Sequence, residues 1–255
     1  MKKILFLILK KTYKIFCFNY RYFITNLQLL FFKRSYKNYP EFKEVYFKYK
    51  NKDANYLKTL SHISTKVDLN YQTIFIFEKK RLNYLIRKIL NNDFREYITS
   101  ITGFRYSVDF LILYKNYHIP KKFAKESIYA NHWHIDKPYS NNMLKIIVPI
   151  NVKSDNFGPL IIRKNKLNKS SIDKKHSENI LFLSNQDNSM FYCFNPSRYF
   201  HKAATPIKGE NCYQIMLQLN PSNQWKLNSN LYKRQFKQEP KFTDITNLFS
   251  KYIKI

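Results

Sequence analysis

Glycine is nearly missing from this 255-residue chain, which holds three: Gly103, Gly158 and Gly209. A composition so poor in glycine keeps few by chance. Cysteine is as scarce. Cys17, Cys193 and Cys212 are odd in number and far apart, which excludes a disulfide framework and any Cys-x-x-Cys pair. They read as buried thiols of a cytoplasmic protein. Long apolar runs are lacking too: Ile4 to Leu9 ends at Lys10 and Lys11, too short for a membrane span. Acids are outnumbered, 17 Asp and Glu against 45 Lys and Arg, for a net charge of +28. Such a balance suits anionic partners. The lysines, however, run from Lys2 to Lys254 without clustering, and there is no zinc finger, RNP signature or basic-region heptad, so nucleic acid is disfavoured. Lys, Asn, Ile, Tyr and Phe dominate, as AT-rich coding produces, and charge alone therefore names no partner.

What is present falls into four segments. Residues 1–40 carry nine Lys or Arg and no acid. On a helix, Lys3, Lys10, Lys14 and Arg21 fall on one stripe. That stripe fits either peripheral contact with an anionic membrane surface or a core-packing helix with one wet face. Residues 41–100 read as mainly helical, with Leu82, Leu85, Ile86, Ile89 and Leu90 at helical spacing. From about 101 to 222, short β-type runs alternate with turns: Phe104–Tyr114, Ser127–Ile135, Leu144–Val152, Gly158–Arg163, Ile180–Leu183, Met190–Phe194 and Cys212–Leu219. Residues 223–255 form a polar extension. Helices first and strands later predict an α+β chain, an antiparallel sandwich or barrel with N-terminal helices packed outside it.

The chemistry concentrates at Asn131-His132-Trp133-His134-Ile135-Asp136. In extended chain His132, His134 and Asp136 share a face, so an imidazole and a carboxylate can grip one ion. Such a pair alone arises easily by chance. His201, following Pro196-Ser197-Arg198-Tyr199-Phe200, supplies a third ligand. Two His and one carboxylate leave open positions suited to Fe(II), although zinc accepts the same donors. Ordinary polar roles inside a sandwich remain open for all three.

Taken in order, Trp133-His134-Ile135-Asp136, Leu144-Lys145, Gly158-Pro159, His201-Lys202, Pro206, Gly209, Tyr213-Gln214 and Leu217-Gln218-Leu219-Asn220-Pro221 resemble the phytanoyl-CoA dioxygenase family of Fe(II)/2-oxoglutarate oxygenases. The resemblance covers just under half of the chain. It implies a double-stranded β-helix (a jelly-roll, cupin-like β-sandwich) with His134, Asp136 and His201 as catalytic metal ligands. It also implies Fe(II), 2-oxoglutarate as cosubstrate, O₂, and hydroxylation of a small-molecule, lipid- or sugar-linked substrate.

One departure matters. The family places an Arg about ten residues past the distal His, on the far carboxylate of 2-oxoglutarate; here Asn211 takes that cofactor-binding position, without charge or fork. Lys145 is the first candidate to replace it and Lys202 the next, with Tyr213 as a hydrogen-bond donor. Two other functions fit the departure: a jelly-roll binding protein that has lost 2-oxoglutarate and catalysis, or a zinc-dependent cupin-like hydrolase.

Overall fold

The computed structural model describes residues 46–51, 60, 65–136, 142–163, 180–184, 189–228 and 252–255, together with residues 8, 12, 15, 16, 19, 23 and 27. Those last seven are helical and exposed; Lys3, Lys10, Lys14 and Arg21 lie outside the described residues. No described helix is long and apolar enough to cross a membrane.

Three strands come first: β1 (Tyr46–Lys50), β2 (Thr65–Leu69) and β3 (Gln72–Ile76). Among the described residues of 41–100, the helical reading therefore holds from Lys79 onward. The run Tyr46-Phe47-Lys48-Tyr49-Lys50 is rich in aromatics and sits against another strand, which favours extended chain. Helix α1 (Lys79–Ile89) then buries Leu82, Leu85, Ile86 and Ile89, one stripe at three- and four-residue spacing. Helix α2 (Asn92–Thr102) follows at once. The Asn91 side chain caps it by accepting the Phe94 N–H at 2.9 Å, and Gly103, at φ +74°, ends it in the left-handed conformation.

The remaining strands are β4 (Arg105–Tyr117), β5 (Leu144–Pro149), β6 (Leu160–Arg163), β7 (Ile180–Leu183), β8 (Met190–Phe194), β9 (His201–Ala203), β10 (Asn211–Ser222), β11 (Lys226–Asn228) and β12 (Tyr252–Lys254). The larger sheet runs β1-β8-β5-β10-β4-β11-β12, with β3 on the other part of β4 and β2 outside it; the smaller runs β7-β6-β9. Apart from β11 against β4, the pairings are antiparallel. The end of the chain thus returns to the sheet through β12. Ser127–Ile135 is not a strand. Tyr129 and Ala130 both take positive φ, +36° and +63°, which breaks extended chain there.

Both faces of the larger sheet are covered. Its outer face packs Tyr106, Val108, Leu111 and Leu113 of β4 and Ile215, Leu217 and Leu219 of β10 against α1 and α2. Its inner face meets the smaller sheet through Ile147, Tyr192 and Phe194 on one side and Leu160, Ile162 and Leu183 on the other. This is a jelly-roll sandwich with the helices outside, as expected. The pairing of β10 with β4 shifts at Gln218/Leu219, leaving Asp109 as the extra residue of a bulge. Its buried carboxylate accepts from Asn220 Nδ2 and Ser107 Oγ.

Candidate metal centre

Three segments meet at the open edge of the smaller sheet. His201 opens β9. The preceding stretch is tied to it residue by residue: His134 N–H donates to His201 O at 3.0 Å, and His201 N–H to His134 O at 2.9 Å. Asp136 N–H donates to Pro196 O at 2.9 Å, which carries the carboxylate to the same place. Just upstream, Ala203 N–H donates to Ala130 O, so the left-handed Tyr129-Ala130 turn is anchored on β9 as well. Backbone strain of this kind persists only where the surroundings fix it.

Each imidazole is oriented through its own Nδ1. In His134 this atom lies 2.8 Å from His132 O, and in His201 3.1 Å from Tyr199 O. A carbonyl oxygen can only accept, so both Nδ1 atoms carry the proton and both Nε2 atoms present a lone pair. Those Nε2 atoms lie 3.7 and 3.6 Å from the same oxygen, Asp136 Oδ1. One ligand atom from each of the three residues lies within 4.8 Å of the others. Donors at about 2.1 Å from one ion stand roughly 3 Å apart, so a small contraction brings the set onto a metal. Donor chemistry, tautomers and spacing all fit a two-His, one-carboxylate site. The ring of Phe194 stands edge-on to His201 at 5.2 Å and walls it from the interior.

The charge pattern is equally specific. Lys145, buried on β5, places Nζ 2.7 Å from Asp136 Oδ2 and 3.3 Å from His201 Nε2. Burial pushes the Asp136 pKa up, but the Lys145 ammonium holds it below the ordinary 3.8. Burial, reinforced by the Lys145 charge, lowers His201 to about 3. His201 is thus a neutral ligand that need lose no proton to bind metal.

Both shifts have the same consequence for metal-free protein. Each group binds a proton more readily unfolded than folded, so stability is lost as pH falls. His201 contributes that loss from about pH 6.5 down to about 3, and Asp136 adds to it as pH drops through its own lowered range. Urea midpoints should fall across this window, and His201→Asn should flatten the segment between pH 6.5 and 3. A wild-type midpoint indifferent to pH there would contradict the shifts.

The other expected site residues part company. Lys202 neighbours His201 on β9 and points to the opposite face, where its Nζ lies 5.0 Å from the Trp133 ring centre and Arg163 lies 4.5 Å from it. Burial and the Arg163 charge both lower the Lys202 pKa. Asn211 and Tyr213 lie on the outer face of β10. Asn151 Nδ2 donates to Asn211 Oδ1 at 2.9 Å, and the Tyr213 ring packs edge-on against Phe75 at 5.3 Å. The inward positions of β10 are instead Cys212, Gln214, Met216 and Gln218, the last directly across from Lys145. His132 turns away, its Nε2 bonded to Glu126 O. Of the four residues expected to hold 2-oxoglutarate, Lys145 alone is brought to the triad. The carbonyls of His132 and Tyr199 and the Phe194 ring carried no signal in the sequence, since any residue type supplies a carbonyl.

No protein-family model matches the chain, and neither does any curated protein. Solved structures do. The non-heme alpha ketoglutarate dependent epimerase SnoN from nogalamycin biosynthesis aligns at TM-score 0.51 and 13% identity, over 69% of this chain and 78% of that one. HygX from Streptomyces hygroscopicus, with nickel, 2-oxoglutarate and hygromycin B bound, aligns at TM-score 0.47 and 9% identity over 78% and 88%. EctD from S. alaskensis, with 2-oxoglutarate and 5-hydroxyectoine, aligns at TM-score 0.48 and 12% identity over 70% and 73%. At such identity the likeness to SnoN establishes the architecture: this chain has the double-stranded β-helix fold that an alpha-ketoglutarate-dependent enzyme also uses.

Proposed function

We propose that the protein is an Fe(II)- and 2-oxoglutarate-dependent oxygenase, a hydroxylase of a small-molecule, lipid- or sugar-linked substrate, related to the phytanoyl-CoA dioxygenase group. One observation carries the reading: two imidazoles held through their Nδ1–H groups bring both Nε2 atoms within 3.7 Å of one carboxylate oxygen, on a fold used for this chemistry. Iron bound there supplies oxygen activation, with the 2-oxo acid as the two-electron co-reductant. The chain's own residues do the rest. His134, Asp136 and His201 hold the ion and leave other coordination positions open. Lys145, as a point charge at the same end of the barrel, meets a carboxylate of the 2-oxo acid in place of the missing guanidinium. Phe194, Ile147 and Tyr192 form the apolar wall that keeps water from the reacting end.

The test is anaerobic addition of Fe(II) and then 2-oxoglutarate, which should produce a weak visible charge-transfer band, followed by oxygen, which should yield succinate. The succinate yield should rise with a true substrate. No band and no succinate across a substrate panel would sink the reading. Metal analysis showing stoichiometric zinc with hydrolytic turnover would replace it.

A further inference from the structure

We propose that Lys145 is a placeholder cation: its ammonium occupies the ligand cage before metal arrives, is displaced by the incoming ion, and is thereby released to meet the 2-oxo acid. This inference rests on the metal-site reading above and deepens it. One lone pair decides the competition. His201 Nδ1 gives its proton to Tyr199 O, so Nε2 has a single in-plane lone pair, and that pair accepts from Lys145 Nζ at 3.3 Å. A coordinated ion would use the same pair, at about 2.1 Å. The two cations exclude each other on this nitrogen.

Asp136 shows the same competition. Its Oδ1 faces both imidazoles, while Oδ2 is held by Lys145 at 2.7 Å. An ammonium and a dication on one carboxylate, in a site that is mostly buried, repel strongly. Relocation needs no backbone movement. Strand β5 is fixed on one side by β10 and on the other by β8, but the four-carbon stem of lysine turns about its own bonds. The opposite role is also well defined. A lysine that stayed on Oδ2 while metal took Oδ1 would orient the ligand and support the ion, and losing such a partner weakens metal binding about 10- to 100-fold. The two roles predict opposite signs.

The experiment uses the full chain, freed of metal and titrated with Co(II) by calorimetry, then Co(II)-loaded protein titrated with 2-oxoglutarate. In Lys145→Met, Co(II) should bind about tenfold tighter or more and 2-oxoglutarate about tenfold weaker, each the size of one charged contact. A general loosening of the site would weaken both, so the opposed shifts are diagnostic. Lys145→Gln, which keeps a polar end, should move both constants the same way as Met if the Met variant folds poorly. Unchanged or weaker Co(II) binding in the folded variants overturns the placeholder, and tighter Co(II) with unchanged 2-oxoglutarate overturns the release to the 2-oxo acid. Wild-type protein that binds no Co(II) removes the metal-site reading and this inference together.

Discussion

Replacing Asp136 with Ala should abolish metal retention and, separately, destabilise the metal-free protein. The first effect follows from its place as the shared neighbour of both Nε2 atoms, at 3.7 and 3.6 Å. Removing even a hydrogen-bonding partner of a metal ligand costs about 10- to 100-fold in affinity, so loss of the ligand itself should exceed about a hundredfold. The second effect comes from Lys145. Without Asp136 a nearly buried ammonium is left beside the neutral His201. Stranding one member of a buried pair costs about 3–5 kcal/mol; Asp136 keeps 20% of its side chain exposed, which lowers the expectation to about 2 kcal/mol. The double variant Asp136→Ala, Lys145→Met should recover most of that stability while still failing to hold metal. Calorimetric Co(II) titration and urea unfolding separate the two effects. An Asp136→Ala protein that binds Co(II) like wild type would remove Asp136 from the ligand set.

The triad was legible in the sequence for a chemical reason. Only His, Cys and carboxylates make such a site, histidine is rare here, and a His-x-Asp pair followed by a distant His leaves few combinations. Strands β7 and β8 were legible to the residue because β-branched and aromatic runs sit between turn formers. Elsewhere the physics was hidden. Strand β10 is half-buried or buried at all positions, with the outer helices on one face and the barrel on the other, so its apolar pattern does not say which face points inward. The family's arginine position put Asn211 and Tyr213 at the cosubstrate, and nothing in that pattern revealed that the inward positions are Cys212 and Gln214. Lys202 is a different matter: neighbours on a strand point to opposite faces, so a ligand at His201 already placed Lys202 outside. The supposed strand at Ser127–Ile135 failed because left-handed backbone at Tyr129 and Ala130 is set by anchoring to β9, a contact some 70 residues away in sequence. Lys145 stood out as the first replacement for the arginine, but its contact with Asp136 and His201 belongs to tertiary structure alone.

Glycine, present only three times, supplies the strongest stability test. Gly158 and Gly209 both take positive φ, +72° and +94°, so an alanine at either site suffers backbone strain of about 1–3 kcal/mol. Their surroundings differ completely. A Cβ on Gly158 would lie 2.5 Å from Pro206 N, 2.6 Å from Pro206 Cδ and 2.7 Å from Ala204 O, whereas at Gly209 nothing lies within 4 Å. The atoms crowding Gly158 are backbone and a rigid proline ring, which cannot swing aside as a flexible side chain would. They are also pinned, since Ala204 N–H donates to Pro159 O at 2.9 Å and Ile207 N–H to Asn156 O at 3.0 Å. Gly209→Ala should thus cost only the backbone strain. Gly158→Ala adds an overpacking penalty of about 1–3 kcal/mol, for roughly 3–5 kcal/mol in all and a Tm lower by about 10 °C. The crowded segment continues directly from β9, so relief of the clash drags on the strand that carries His201. Gly158→Ala protein should then bind Co(II) more weakly than wild type, while Gly209→Ala binds it normally. Equal melting temperatures for the two variants would show that the close approach of Gly158 to Pro206 is not what holds the end of the smaller sheet in place.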